Sequence, residues 1–192
     1  VISDAIRNEV LKCADILQSG GTLLYPTDTI WGIGCDATSP NAVEKIYRIK
    51  RRMGNKSLIV LLDSAEKLPL YVENLPEITW DLLKHVTAPL TIIYPKGRNL
   101  AENILGTDLS VAIRIADNEF CRELIKVFGK PLVSTSANIS GKTTPCNFKD
   151  ISTDIIKRVD YTVQHFHDII SFIQPSRIIK LYQNGEFNVI RP

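Results

Sequence analysis

Apolar residues return every three or four positions at Ile6, Val10, Ala14 and Leu17, the spacing that gives a helix one buried stripe. The pattern predicts a helix over 4–19, with Ser3 as its cap and Gly20-Gly21 as its stop. Residues 22–26 then switch to a short β-type run, followed by a polar loop and Gly32-Ile33-Gly34. Ser39-Pro40 opens a second helix, with serine as cap and proline in the first turn, where a missing N–H costs nothing. That helix carries Ala42, Val43, Ile46 and Ile49 on one side and Lys45, Arg48 and Arg52 on another. Further along, 57–62 reads as a buried strand, 76–86 as a helix, 91–94 and 110–115 as strands, and 119–128 as a helix closed by Gly129. A strand over 131–135 runs into a polar loop over 136–145. A helix over 148–158 and strands over 161–165 and 177–182 follow, and Asn184-Gly185 turns the last one back as a hairpin.

Strands and helices are interspersed, but the hairpin and the uneven spacing exclude a purely parallel doubly wound sheet. The expected fold is α/β: one domain over 1–192, a twisted open mixed sheet with flanking helices. The 192 residues, 44% hydrophobic and 23% charged, match ordinary globular composition and suffice for one sizeable core. A balance of 23 Lys+Arg against 21 Asp+Glu leaves +2, too little to draw a polyanion by net charge. The longest apolar runs, such as 58–62, fall far short of the ~20 residues that cross a bilayer. The start of the chain has a polar helical pattern where a secretory signal has a basic head and an apolar stretch, so a cytoplasmic setting away from membranes is expected.

Cys13, Cys35, Cys121 and Cys146 lie far apart without a Cys-x-x-Cys pair and are expected to be reduced, packed thiols. His165 and His167 would share a face of the strand over 161–165, yet only Asp168 stands near as a third ligand, so a metal-free pair is expected there. His85 closes an apolar helix, where it meets the C-terminal dipole. Trp31 and Trp80 are assigned to the core.

Two phosphate-binding motifs fail on spacing. Gly32-x-Gly34-x-x-Ala37 nearly matches the dinucleotide fingerprint, but its helix begins too late, at Pro40, and no acidic residue follows at the required distance. Gly141-Lys142-Thr143 resembles the end of a phosphate loop, whose first glycine is replaced by Ser136. What remains is a set of polar clusters at the ends of β-type runs: Thr27-Asp28-Thr29, Lys50-Arg51-Arg52 with Lys56, Arg114, Ser134 to Asn138, and Ser176 with Arg191. Cationic forks, hydroxyls and an amide suit a multiply charged oxyanion such as a nucleotide triphosphate. The plainer alternatives are a solvated helix end for residues 50–52, a polar turn for 134–138 and a strand-edge ion pair for Arg114.

Tyr25-Pro-Thr-Asp-Thr-Ile-Trp-Gly-Ile-Gly, Ile49-Lys-Arg-Arg, Pro89-Leu-Thr, Val111-Ala-Ile-Arg and Lys130-Pro-Leu-Val-Ser-Thr-Ser-Ala-Asn-Ile-Ser-Gly occur in one order along the chain. With them the chain resembles the YrdC-like threonylcarbamoyl-AMP synthases, in the short single-domain form, from the first helix to Ile190-Arg191-Pro192. The paired K-x-R and S-x-N signatures of that family fall on Lys50/Arg52 and Ser136/Asn138. The resemblance implies a nucleotidyltransferase that condenses L-threonine, bicarbonate and ATP, with Mg²⁺, to threonylcarbamoyl-AMP and pyrophosphate for tRNA threonylcarbamoyladenosine modification. Lys50, Arg52, Ser136 and Asn138 are then the catalytic residues, joined by Lys56 and Arg191 around the nucleotide. Thr29, Arg114, Ser134 and Ser176 take threonine. No resident metal site is expected, because Mg²⁺ would bridge the phosphates and keep its waters.

The chain departs from the family pattern at Met53 and Ser57, at Leu61 and Asn118 where histidines are usual, and at Arg177 after Ser176. The resemblance further implies contact with other tRNA-modification proteins, and the net charge of +2 with a cleft sized for a nucleotide implies weak or no direct binding of bare tRNA. An RNA-binding module without synthase activity is the alternative, supported by the cations at 45–56 and opposed by the small net charge. A nucleotide hydrolase fits least, for want of a water-activating carboxylate beside the cations.

Overall fold

The computed structural model of the chain describes residues 3–51, 58–168 and 175–192. Helix α1 (Asp4–Gln18) starts where Ser3 Oγ accepts the Ile6 N–H at 3.4 Å and buries Val10, Cys13, Ala14 and Leu17. Strands β1 (Leu23–Tyr25) and β2 (Gly32–Gly34) follow. Helix α2 (Pro40–Ile49) is capped by Ser39, whose side chain accepts from Ala42 N. Next come β3 (Ile59–Leu62), the short α3 (Leu68–Tyr71), α4 (Ile78–His85), β4 (Leu90–Tyr94) and β5 (Val111–Ile115). Helix α5 (Glu119–Phe128) begins at Asn118, whose side chain accepts from Cys121 N, and ends at Gly129 in the left-handed region at φ 78°, where a side chain would be strained. Strand β6 (Leu132–Ser136), helix α6 (Thr153–Arg158) and strands β7 (Tyr161–Thr162), β8 (Arg177–Leu181) and β9 (Phe187–Arg191) complete the order.

The strands form one mixed sheet in the order β7-β1-β2-β6-β3-β5-β4-β8-β9. Pairs β1/β7, β3/β5 and β4/β8 are parallel and the rest antiparallel. This is the mixed open α/β sheet with flanking helices that the alternation of elements led us to expect. Strand β6 joins its two halves, pairing with β2 on one side and β3 on the other. Helices α1 and α5 pack together, α1 against β1 and α5 against β3, and Leu24, Ile33, Val60 and Val133 in the sheet are wholly buried. Each such aliphatic side chain contributes roughly 1.5–3 kcal/mol.

Several expectations need correction. The helix expected over 148–158 is broken: Phe148–Asp150 is a single 3-10 turn, and α6 restarts only after Ser152, which accepts from Asp154 N. The helix expected over 76–86 starts at Ile78, because Pro76 and Glu77 form its entry turn. The strand expected over 161–165 stops at Thr162, and one further backbone bond, from Val163 N to Leu24 O at 2.9 Å, closes its pairing with β1. The two histidines therefore share no strand face. His165 Nε2 lies 3.8 Å from Glu9 Oε2, and His167 stacks on Phe148 at 3.6 Å between ring centroids. Trp31 is buried, but Trp80 is 44% exposed, since α4 turns Thr79 and not Trp80 inward. Cys13, Cys35 and Cys121 are packed thiols, whereas Cys146 is exposed on the loop before α6. No described helix is long and apolar enough to cross a membrane.

Candidate functional site

Side chains two apart on a strand share a face, and residues opposite each other on neighbouring strands stand side by side. Those two rules place a row of Arg114 on β5, Thr91 on β4, Ile178 on β8 and Arg191 on β9 across one face of the sheet. A parallel row two residues away holds Ser134, Ile59, Ala112 and Ile93. Together they floor a cavity of about 310 Å³, which Thr27, Thr29 and Ser136 enter from the side. It is a concave site whose floor mixes four apolar residues with four polar ones, two of them arginines.

Arg114 is 4% exposed on a central strand and is held at one edge only. Its Nη2 lies 3.2 Å from Asp28 Oδ1, and its Nη1 donates to Thr29 Oγ1 at 3.3 Å. The turn presenting those partners is built by Thr27, whose Oγ1 accepts from the backbone of Thr29 and Ile30 and donates to Ile30 O. Burial, with the Asp28 charge second, pushes the neighbouring Cys121 thiol far up, so it is a packed and unreactive group. On the opposite side Arg191 donates through Nε and Nη2 to Ser176 O at 2.8 and 2.6 Å, and through Nη2 to Ser176 Oγ at 3.2 Å. Ser176 Oγ in turn meets Thr91 Oγ1 at 2.8 Å. Burial and, after it, the charge of Arg114 lower the Arg191 pKa. The two cations therefore feel each other across the cavity.

Lys50, at the C-terminal end of α2, is 3% exposed, which excludes the solvated helix end. Its Nζ donates to Ser136 O at 2.6 Å, Asn138 O at 2.8 Å and Asn138 Oδ1 at 3.3 Å. Ser136 Oγ donates to the same Oδ1 at 2.5 Å, and Ser140 N returns to Lys50 O. The lysine of the K-x-R signature and both residues of S-x-N thus form one constellation, with Ser136 facing the cavity and Lys50 behind it. Arg52 and Lys56, with Met53 and Ser57, lie outside the described residues.

Thr29, Arg114, Ser134, Ser136, Ser176 and Arg191 therefore surround one cavity. Two contributors carried no individual role in the sequence reading. Asp28 is the buried counter-charge of Arg114, and Thr91 orients Ser176. The signal for Thr91 was its place beside Arg114 in an alternating strand pattern. Asp28 showed only as an acid between two threonines. Among the departures, Asn118 serves as the cap of α5, and Leu61 is fully buried opposite Arg114 on β3. The glycines of Gly32-x-Gly34 serve packing: a Cβ on Gly34 would meet the Tyr25 ring at 2.6 Å, where Tyr25 Oη reaches Val133 O at 3.0 Å. Among the described residues no group of three or more His, Cys, Asp or Glu is placed to hold a metal ion.

A family model of Sua5, YciO and YrdC proteins, described as telomere recombination, matches residues 15–192. The threonylcarbamoyl-AMP synthase of Stutzerimonas stutzeri is 37% identical over 184 residues, covering 95% of this chain and 96% of that protein. The enzyme of the same name from Vibrio campbellii is 36% identical over 142 residues, covering 72% and 74%. The crystal structure of P. abyssi Sua5 complexed with L-threonine matches with a TM-score of 0.81 at 29% identity, over 90% of this chain and 50% of that one. The chain thus spans about half the length of that neighbour.

Proposed function

The chain belongs to the Sua5, YciO and YrdC family, and from that membership we propose that it is a threonylcarbamoyl-AMP synthase, joining L-threonine, bicarbonate and ATP. The observation that carries this reading is the pair of arginines on one sheet face, Arg114 buried and Arg191 half-buried, with the hydroxyls of Thr29, Thr91, Ser134 and Ser176 around them. That arrangement suits a small anionic amino acid next to a polyanion, and it is concave where a nucleic-acid backbone needs an open basic surface. The same-named relatives favour the synthase over an RNA-binding module.

Arg114 takes the threonine carboxylate through the donors that Asp28 and Thr29 leave, while Ser134 and Ser176 meet the hydroxyl. The threonine amine attacks the bicarbonate carbon and a C–O bond breaks with loss of water, giving a carbamate, one oxygen of which attacks the α-phosphorus of ATP as pyrophosphate leaves. Negative charge then builds on the phosphoryl oxygens, where fixed cations lower the barrier. Lys50 and Arg191, with Arg52 and Lys56, are assigned to that charge. Ser136, which faces the cavity and is held by Asn138, would meet the waters of a Mg²⁺ carried in by the phosphates. When bound, that ion neutralises phosphate charge. The adenylate passes on to tRNA modification in the company of other proteins.

Incubating the pure protein with threonine, bicarbonate, ATP and Mg²⁺ should yield threonylcarbamoyl-AMP by mass spectrometry, with pyrophosphate released only when threonine is present. Pyrophosphate release indifferent to threonine would mean a hydrolase.

A further inference from the structure

The two arginines of the cavity are not equivalent. Arg114 carries a counter-charge, Asp28, while Arg191 leans on the carbonyl and hydroxyl of Ser176 and makes no ion pair among the described residues. Asp28 is an unusual partner. Its side chain is 7% exposed, both carboxylate oxygens lack a hydrogen-bond partner, and its one ion pair among the described residues is the 3.2 Å approach to Arg114. A carboxylate kept out of water without hydrogen bonds is costly, so its value lies in the charge it supplies. Asp28 also stands behind Arg114 and does not line the cavity, so it acts on a bound ligand only through the guanidinium.

We propose that Asp28 is a specificity-determining, positioning residue: it holds the Arg114 end of the cavity near zero net charge, so that this end accepts a carboxylate and turns phosphoryl groups away to the Arg191 end. The inference rests on the reading of Arg114 as the amino-acid partner and adds how the site keeps its two anions from exchanging places. With Arg114 unneutralised, both ends would offer an unpaired cation, and phosphate or pyrophosphate would compete for the threonine position. Charge differences at a few Å in a partly buried site are large enough to shift anion affinity tenfold or more.

The test compares the parent with Asp28→Asn, which keeps shape and removes charge. Calorimetry with inorganic phosphate should show at least roughly tenfold tighter binding to Asp28→Asn, with threonine displaced by phosphate in that variant and hardly in the parent. The threonine KM should rise several-fold while the ATP KM stays near the parent value, a split that a general loss of structure does not produce. In Asp28→Asn/Arg114→Gln the phosphate gain should vanish, which locates the anion at Arg114. Phosphate affinity in Asp28→Asn within a factor of two of the parent would overturn the proposal, as would a gain that persists in the double variant. If Asp28→Asn is too unstable for calorimetry, phosphate should raise its melting temperature more than the parent's, and an equal rise is the contrary result. A parent that binds no threonine would defeat the synthase reading, whereas the phosphate comparison decides the role of Asp28 separately.

Discussion

Lys50 and Arg114 are buried to nearly the same degree, 3% and 4% exposed, yet they meet the cost of a buried cation in opposite ways. The ammonium of Lys50 is a compact charge with three donors, and it sits in a cup of oxygens from Ser136 and Asn138. The guanidinium of Arg114 is a planar fork, divided between an acid and a hydroxyl from the turn before β2. One cation is thus tied to the shape of a loop, the other to a central strand and a full counter-charge. The lesson is that a rotating ammonium adjusts to neutral loop oxygens, whereas a rigid guanidinium fork on a central strand is met by a full counter-charge.

The largest expected effect breaks the rigid side. Arg114→Ala strands the Asp28 carboxylate in the core and should cost about 3–5 kcal/mol in urea denaturation, the scale of breaking a buried pair by removing one partner. In whatever folds, the threonine requirement for pyrophosphate release should rise more than the ATP requirement. A change confined to ATP would put the amino acid elsewhere.

Lys50→Met tests the adjustable side. It should lower product formation by about 10²-fold, the loss seen when one fixed charge-stabilising donor is removed. Because the same ammonium holds residues 136–138, limited proteolysis should also cut faster between 138 and 146. Turnover within threefold of the parent would leave Lys50 as a loop clasp only.

Substrate choice sharpens the comparison without a mutation. Serine lacks one methyl and should lose roughly 10- to 200-fold in kcat/KM, while valine strands the hydroxyl's partners and should be rejected at least as strongly. Valine performing like threonine would show that Ser134 and Ser176 do not read the hydroxyl. Ser176→Ala removes the Oγ contacts to Thr91 and Arg191 while leaving its carbonyl in place, and should cost about 1 kcal/mol by denaturation. The smallest effect is far from the site. Hydrogen bonding from Ser110 foremost, with help from Lys180, lowers the Asp108 carboxyl from the ordinary 3.8 to about 2. Its folded pKa is depressed, so its contribution to stability is full above 3.8 and is lost as pH falls toward 2. Asp108→Asn should therefore flatten the acid limb of a stability-versus-pH curve slightly in that window.

Much of this was legible in the chain because period-two alternation alone puts Ala112 with Arg114 and Ser134 with Ser136 on single faces. The K-x-R and S-x-N signatures likewise led to Lys50, Ser136 and Asn138. The pairing of Asp28 with Arg114 was not legible, because it depends on how the turn after β1 crosses to β5, and no local pattern encodes such a crossing. The break at Ile151-Ser152 was missed because the apolar positions on either side, Phe148 and Ile155, keep helical spacing through a change of backbone. Trp80 was misplaced for a related reason: its helix packs by Thr79, Leu82 and Leu83, so the largest side chain faces water.

Strand order and chain order differ, and the difference has a meaning for synthesis. Asp28, Arg114 and Ser134 leave the ribosome well before β8 and β9, which must dock beside β4 to bring Ser176 and Arg191 to the cavity. An interrupted translation product ending before Arg177 would carry Asp28 and Arg114 and lack the strand that supplies the second arginine. The strand that brings Arg191 to the cavity is installed last, so the site is incomplete until β8 and β9 have docked.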